Sequence, residues 1–412
     1  MLFEMQKSKN TFYYLGIFLY VLSMNLQISF MFNEWSLSSG SPMLIVLKLL
    51  KYGAYLFCLI HFFTVIRFSH NVLFAVGIMF VFSVYAMFTG PEKLPLFYFV
   101  LIATAVNTDF KKIVKIFLAI QATTFVIYLS LALAGIMGSG EVVEPDRIRS
   151  FLGYGWVNRA SYNLLFMSLE LLYLRKRALD PVLAIILSAL NWFIYVKTHT
   201  VFSMAITFMI IIYGAVYYFY SKSDRKITFV KKNIKRDYYL ILTIFLLLIA
   251  AGIALILIYK SSNPFLYKLN RFVTGRLELG KNAIDRYGLH LGGNKLQWVG
   301  SSTLLFGLAE GNEYFYVDNG FLQLALEFGL LFAGFALYMY TAAIKKAVYL
   351  KDYSYAAIAL ILGFVFVFEP YVIDFAFNPF VIYYFSKITL ASHNRRLVID
   401  RFDIKLLSSY KR

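Results

Sequence analysis

Long runs of apolar residues, cut by short polar loops, dominate this chain. Twelve segments reach or approach the roughly 20 residues that a helix needs to cross a hydrocarbon core about 30 Å thick. They lie near 12–31, 42–66, 72–89, 94–107, 114–137, 159–174, 181–196, 200–220, 238–259, 319–343, 354–372 and 376–391. The fourth, sixth, seventh and twelfth are short, and the second carries Lys48 and Lys51. The first is too long for a signal-peptide core and lacks a small-x-small cleavage site, so it is expected to remain as an anchor. The pattern predicts an all-α integral membrane protein, one polytopic domain over 1–412 with about 12 transmembrane helices.

Composition narrows the class. Of 412 residues 60% are hydrophobic and 15% charged, whereas a soluble domain has about 45–50% apolar and about 25% charged residues. The absence of polar tracts, glycine periodicity and paired cysteines argues against disorder, collagen and a disulfide framework. Cys58, the one cysteine, reads as a small apolar core residue.

The net charge of +18 is a topology signal. Lys7, Lys9, Arg67, the lysines of 111–115, Arg175-Lys176-Arg177, the 222–236 cluster, Lys345, Lys346, Lys351 and the basic tail all fall on one side of the alternating spans. The positive-inside rule makes that side, and both termini, cytoplasmic. These charges sit in short loops without aromatic interleaving, so no nucleic-acid partner is expected. The 222–236 cluster reads as an orientation and anionic-lipid determinant.

Two segments on the opposite, extracytoplasmic side are longer, about 138–158 and 260–318. Arg147, Arg149, Arg159, Arg271, Arg276 and Arg286 lie in or beside them, where the positive-inside rule does not account for them. Arginine recognises phosphate with two fixed donors, so an anionic substrate is expected at the outer mouth. The alternative is neutralisation by neighbours such as Glu144, Asp146 and Asp285. With Thr274 as N-cap, a helix from about Gly275 to Tyr287 puts Leu277, Leu279, Ala283, Ile284 and Tyr287 on one face. Glu278, Lys281, Asn282 and Asp285 take the other. Arg276 then points into the apolar face from the first turn, where the helix dipole disfavours a cation. It needs an anion, either a substrate phosphate or a buried carboxylate.

Asp318 opens the tenth span in YVDNGFLQLALEFGLL, as a base or an N-cap. Glu327 lies within that span, and Glu369 precedes Pro370 in FEPYVIDF. Carboxylates at such depth face a bundle interior and are functional candidates. Pro370 and Pro379 are expected to interrupt helices beside a cavity. His61, His70, His199, His290 and His393 have no metal-ligand spacing, and HExxH, GxSxG and Walker-type motifs are absent. No metal or cofactor is expected.

The stretch TGRLELGKNAIDRYGLHLGGNKLQWVGSS, followed by YFYVDNGFLQLALEFGLL, resembles the large outer loop and following helix of Wzy-type polysaccharide polymerases. RSFLGYGWVN, with Arg149, Gly153 and Asn158, is similar to the earlier outer loop of the same superfamily, which also contains the O-antigen ligases. The motifs cover about a fifth of the chain. Trp156-Val157-Asn158 stands where the family often has His-Pro-Asn, and Asp318, ahead of Asn319, stands where ligases carry histidine.

The resemblance implies a GT-C-like polytopic glycosyltransferase in the bacterial cell membrane. It would join undecaprenyl-diphosphate-linked oligosaccharide repeat units into capsular polysaccharide or exopolysaccharide on the outer face, without metal or nucleotide sugar. Its partners would be that lipid-linked glycan, membrane lipid and a chain-length regulator. On this reading Arg149, Arg271 and Arg276 hold the diphosphate, with Arg147 and Arg286 in reserve. Asp318 is then the first choice of base and Glu369 the second, and Asn158 and Asn319 serve the acceptor side or the loop structure. A flippase or other transporter of lipid-linked glycan, and an O-antigen-type ligase, are the competing readings.

Overall fold

A computed structural model describes residues 10–32, 41–65, 70–91, 93–137, 140–144, 147–223, 233–300, 314–391 and 396–399. Asp146, much of the 222–236 cluster and the basic tail lie outside the described residues. The protein is mostly helical. In chain order the elements begin with α1 (Thr11–Gln27), α2 (Pro42–Val65), α3 (His70–Thr89), α4 (Leu94–Ala103) and α5 (Phe110–Leu133). A hairpin of β1 (Glu141–Glu144) and β2 (Arg147–Ser150) leads to α6 (Arg159–Leu174), α7 (Pro181–Thr198), α8 (Val201–Lys222) and α9 (Ile234–Ile258). Then come α10 (Pro264–Phe272), α11 (Arg276–Tyr287), α12 (Gly320–Phe328), α13 (Leu330–Tyr349), α14 (Tyr353–Phe368), a 3-10 helix at Phe380–Tyr384, and the hairpin β3 (Ile388–Ala391) and β4 (Arg396–Ile399).

Among the described residues, five helices are long and apolar enough to cross a membrane: Pro42–Thr64, α5, α7, α8 and α9. Their outward faces carry large apolar side chains, among them Ile185, Trp192, Ile212 and Leu247, all at least half exposed. Water would not tolerate apolar patches of that extent, and lipid does. Local sequence sets the helix starts. Asp180 caps α7 by accepting from Leu183 N at 3.0 Å, with Pro181 at the first position. Asn233 caps α9, and Asn263 caps α10 ahead of Pro264.

Two of the expected apolar segments are not single α-helices. The tenth breaks at Gly329 into α12 and α13. Gly329 has φ of +91°, and a Cβ there would meet the Gly292 backbone at 2.4 Å. The segment 290–294 lies against the break and takes up its backbone groups: Leu330 N donates to His290 O at 2.9 Å, and Asn294 N donates to Leu326 O at 3.0 Å. A span interrupted this way stays satisfied because protein replaces the lost helical bonds.

The stretch 376–391 is not an α-helix: it holds the 3-10 helix Phe380–Tyr384 and ends in β3. Asn378 holds it in place, its Nδ2 donating to Tyr340 Oη (3.0 Å) and to the carbonyls of Tyr371 and Val372 (2.8 and 3.2 Å). The buried Lys346 ammonium donates to the carbonyls of Tyr383 (3.3 Å), Tyr384 (3.1 Å) and Ser386. Around this segment packs an aromatic core in which the Tyr355 and Tyr383 rings stack with centroids 3.6 Å apart.

Candidate functional site

The segment 260–300 packs on α9 and α12, its Leu266, Leu277, Ala283 and Leu296 clustering with Ile256, Leu322 and Leu326. Asn270, on α10, organises it: its Oδ1 accepts from Leu277 N (3.0 Å) and Glu278 N (3.2 Å), which caps α11. Thr274 therefore is not the cap. It and Gly275 adopt left-handed φ of +56° and +82°, turning the chain so that Asn270 reaches the orphan donors. Along α11, Leu277 and Ala283 are buried while Glu278, Asn282 and Asp285 are exposed, the division that the periodicity predicts.

Arg276 starts α11 and points inward. Its Nε donates to Asp318 Oδ2 at 3.0 Å and its Nη2 to Glu369 Oε1 at 2.8 Å. Glu369 is almost wholly buried, at 2% exposure. Pro370 explains the position of Glu369: a residue before proline is driven out of the helical region, and Glu369 is extended (φ −145°, ψ 143°), which ends α14. Asn319 caps α12 through Leu322 N at 2.9 Å and donates to Val367 O at 3.1 Å. Both bonds are structural, and they leave Asp318 free to meet Arg276. Burial raises the pKa of Asp318, with Arg276 pulling it part of the way back. Burial also works against the charge on Arg276, but the two carboxylates outweigh it and hold its pKa above the ordinary value.

Both carboxylates line a cavity of about 410 Å³ to which Asn158, Arg159, Glu327 and Asp374 also contribute. Arg276 does not line it. The remaining wall is rich in rings, including Tyr98, Trp156, Trp298, Tyr314, Tyr316 and Tyr371. Trp298 Nε1 donates to Glu327 Oε2 at 3.2 Å. Among the described lining residues four carboxylates face one guanidinium, so the described wall is acidic and aromatic where the sequence predicts a basic mouth. Hydroxyl-rich ligands suit such a wall: carboxylates accept from hydroxyls, and rings offer flat amphipathic faces.

Of the six arginines singled out in the sequence, Arg159 alone lines this cavity. It is the first residue of α6, half-buried, with Nη1 donating to Ile28 O at 3.3 Å. Arg149 donates from Nε to Thr198 O at 2.8 Å, at the end of α7. Arg147 is exposed on the same strand. Arg271 is exposed on α10, and Arg286 lies over the rings of Tyr287 and Phe315, 5.4 and 5.5 Å from their centroids. Asp374 escaped the sequence reading although it stands five residues after Glu369. Its signal was the same proline-broken stretch, because a segment that leaves the helix beside a cavity carries all its polar residues there. Arg159 had only its place at the loop end to distinguish it.

Among the described residues no group of three His, Cys, Asp or Glu side chains is placed to hold a metal ion. Compared with protein-family models, curated proteins and solved structures, the chain matches none of them.

Proposed function

We propose that the protein is a membrane glycosyltransferase that polymerises lipid-diphosphate-linked oligosaccharide repeat units at the extracytoplasmic face of a bacterial cell membrane. One observation carries the reading. Asp318 and Glu369, tied to one guanidinium, line an aromatic, acid-rich cavity whose only cation is Arg159 among the described lining residues. The resemblance to Wzy-type polymerases supplies the substrate class, undecaprenyl-diphosphate-linked oligosaccharide.

In this reaction a hydroxyl at the non-reducing end of the acceptor unit attacks the anomeric carbon of the donor glycan. The bond from that carbon to the phosphate oxygen breaks, and the lipid diphosphate departs with the bonding electron pair. Asp318 takes the hydroxyl proton, with Glu369 as the alternative base, a role worth about 10²–10⁴ in rate. Arg159 stabilises the charge growing on the diphosphate. Arg276 is a positioning residue that fixes the two carboxylates and offsets part of the rise that burial gives the pKa of Asp318. Arg149, Arg271, Arg147 and Arg286 remain candidates for guiding the anionic head group towards the mouth, and Asn158 for contacting the acceptor.

The test is mass spectrometry of lipid-linked glycans in cells carrying Asp318→Asn at matched protein level. Accumulated single repeat units on the outer leaflet, with long polymer lost, is the expected result. Units held on the cytoplasmic leaflet would replace this reading with a flippase, and intact polymer would remove Asp318 from the chemistry.

A further inference from the structure

The far end of the same helices holds a second pocket. Arg159 and Glu369 line the first cavity at one end of α6 and α14, while Tyr173, Leu174, Tyr353 and Ser354 line the second at the other end. Sixteen residues of helix separate the two ends, about 24 Å at 1.5 Å per residue. The second pocket encloses about 330 Å³, and four cations contribute to it: Lys111, Lys176, Arg177 and Lys351. None of the four forms an ion pair among the described residues. Asp352, the one carboxylate among the described lining residues, is already occupied. It accepts from Tyr173 Oη at 3.2 Å, Tyr383 Oη at 3.0 Å and Tyr355 N at 3.3 Å.

Two further observations separate this cluster from a scatter of loop charges. Arg177 is fixed: Nη2 donates to Tyr217 Oη at 2.8 Å, and the guanidinium lies 4.2 Å from that ring centroid. Its Nε is nevertheless buried without a hydrogen-bond partner, an omission that folded proteins seldom leave unanswered. Second, Lys176, Arg177 and Lys351 all have left-handed backbones, with φ of +53°, +72° and +58°. They end α6 and α13, positions where glycine is the usual residue. A side chain kept at a strained position points to a use for it. Lys111 adds a cation to the first turn of α5, where the dipole opposes one.

We propose that this pocket binds a phosphate group, as a phosphate ester of a lipid headgroup or as free inorganic phosphate. Arg177 supplies the fixed donors, and Lys111, Lys176 and Lys351 supply charge. The site is independent of the glycosyl-transfer reading.

The full chain in phosphatidylcholine nanodiscs would be titrated with inorganic phosphate, and a second preparation would contain phosphatidylglycerol without phosphate. Thermal unfolding is the readout, on the parent, on Arg177→Gln and on the doubly substituted Lys176→Gln/Lys351→Gln, both of whose positions are exposed. Lys345→Gln, an exposed cation on α13, is the control. A saturable rise in Tm in the parent, weakened at least about tenfold in apparent affinity in both variants and unchanged in the control, is the expected result, tenfold being the worth of one charge-assisted hydrogen bond. A response to phosphate alone identifies a soluble ligand, and a response to phosphatidylglycerol alone identifies a headgroup. No saturable response, or an equal loss in the control, overturns the proposal.

Discussion

The two ends of α6 and α14 use opposite chemistry. At one end carboxylates and aromatic rings line a cavity to which Arg159 is the one arginine that contributes among the described residues, and at the other lysines and an arginine surround a carboxylate that tyrosines have already claimed. Helices α6 and α14 serve both ends, so the contrast arises in the breaks and turns that terminate them. Pro370 releases Glu369 and Asp374 to the cavity, while left-handed Lys176, Arg177 and Lys351 turn cations into the other pocket. Both proposed sites draw their charged groups from places where helices stop.

The largest disturbance to the carboxylate end comes from removing its clamp. Arg276→Ala leaves Asp318 and the buried Glu369 without their shared cation, and breaking a buried pair costs about 3–5 kcal/mol. A clear fall in thermal stability of the purified protein is expected, together with loss of polymer. Unchanged stability would mean that the three groups do not form one unit.

A second experiment sharpens the comparison through pH. Asp318 must be ionised to act as a base, and burial raises its pKa while Arg276 lowers it. Activity therefore falls as pH drops through that raised value, at a higher pH than an ordinary aspartate would give. Arg276→Gln removes the lowering influence, so the acid limb of residual activity moves to higher pH. An unmoved limb would assign the titration to another group. The smallest effect belongs to the exposed face of α11, where Lys281 pairs with Asp285 at 2.9 Å. Lys281→Ala should change stability by no more than about 0.5 kcal/mol, measured against Arg276→Ala as the contrast within one helix.

How far these features could be read from the chain depended on how local their causes are. Helix α6 runs over the same residues as the expected sixth span, because apolar continuity and the basic Arg175-Lys176-Arg177 stop are local signals. The inward turn of Arg276 followed from 3.6-residue periodicity, and its choice between phosphate and carboxylate needed the fold. Asn319, not Asp318, proved to be the cap, since both have capping chemistry and Arg276 decides which is withdrawn. The break at Gly329 was hidden because a lone glycine in an apolar run reads as tolerated in helix. Its cause is the approach of Gly292, distant in sequence. The stretch 376–391 misled for a related reason: hydropathy reports burial, and burial here comes from packing held by Asn378 and Lys346 rather than from a membrane-spanning helix. Which arginine reaches the cavity was likewise settled by how the loop before α6 packs on Ile28.

The central claim is tested most directly with purified protein in liposomes given isolated undecaprenyl-diphosphate repeat units and no nucleotide sugar, followed by mass spectrometry of the lipid-linked products. The account predicts chains of two and more repeat units, one lipid diphosphate released for each new linkage, and neither product with Asp318→Asn. Repeat units that stay single in the parent protein, or are only carried across the bilayer, would contradict it.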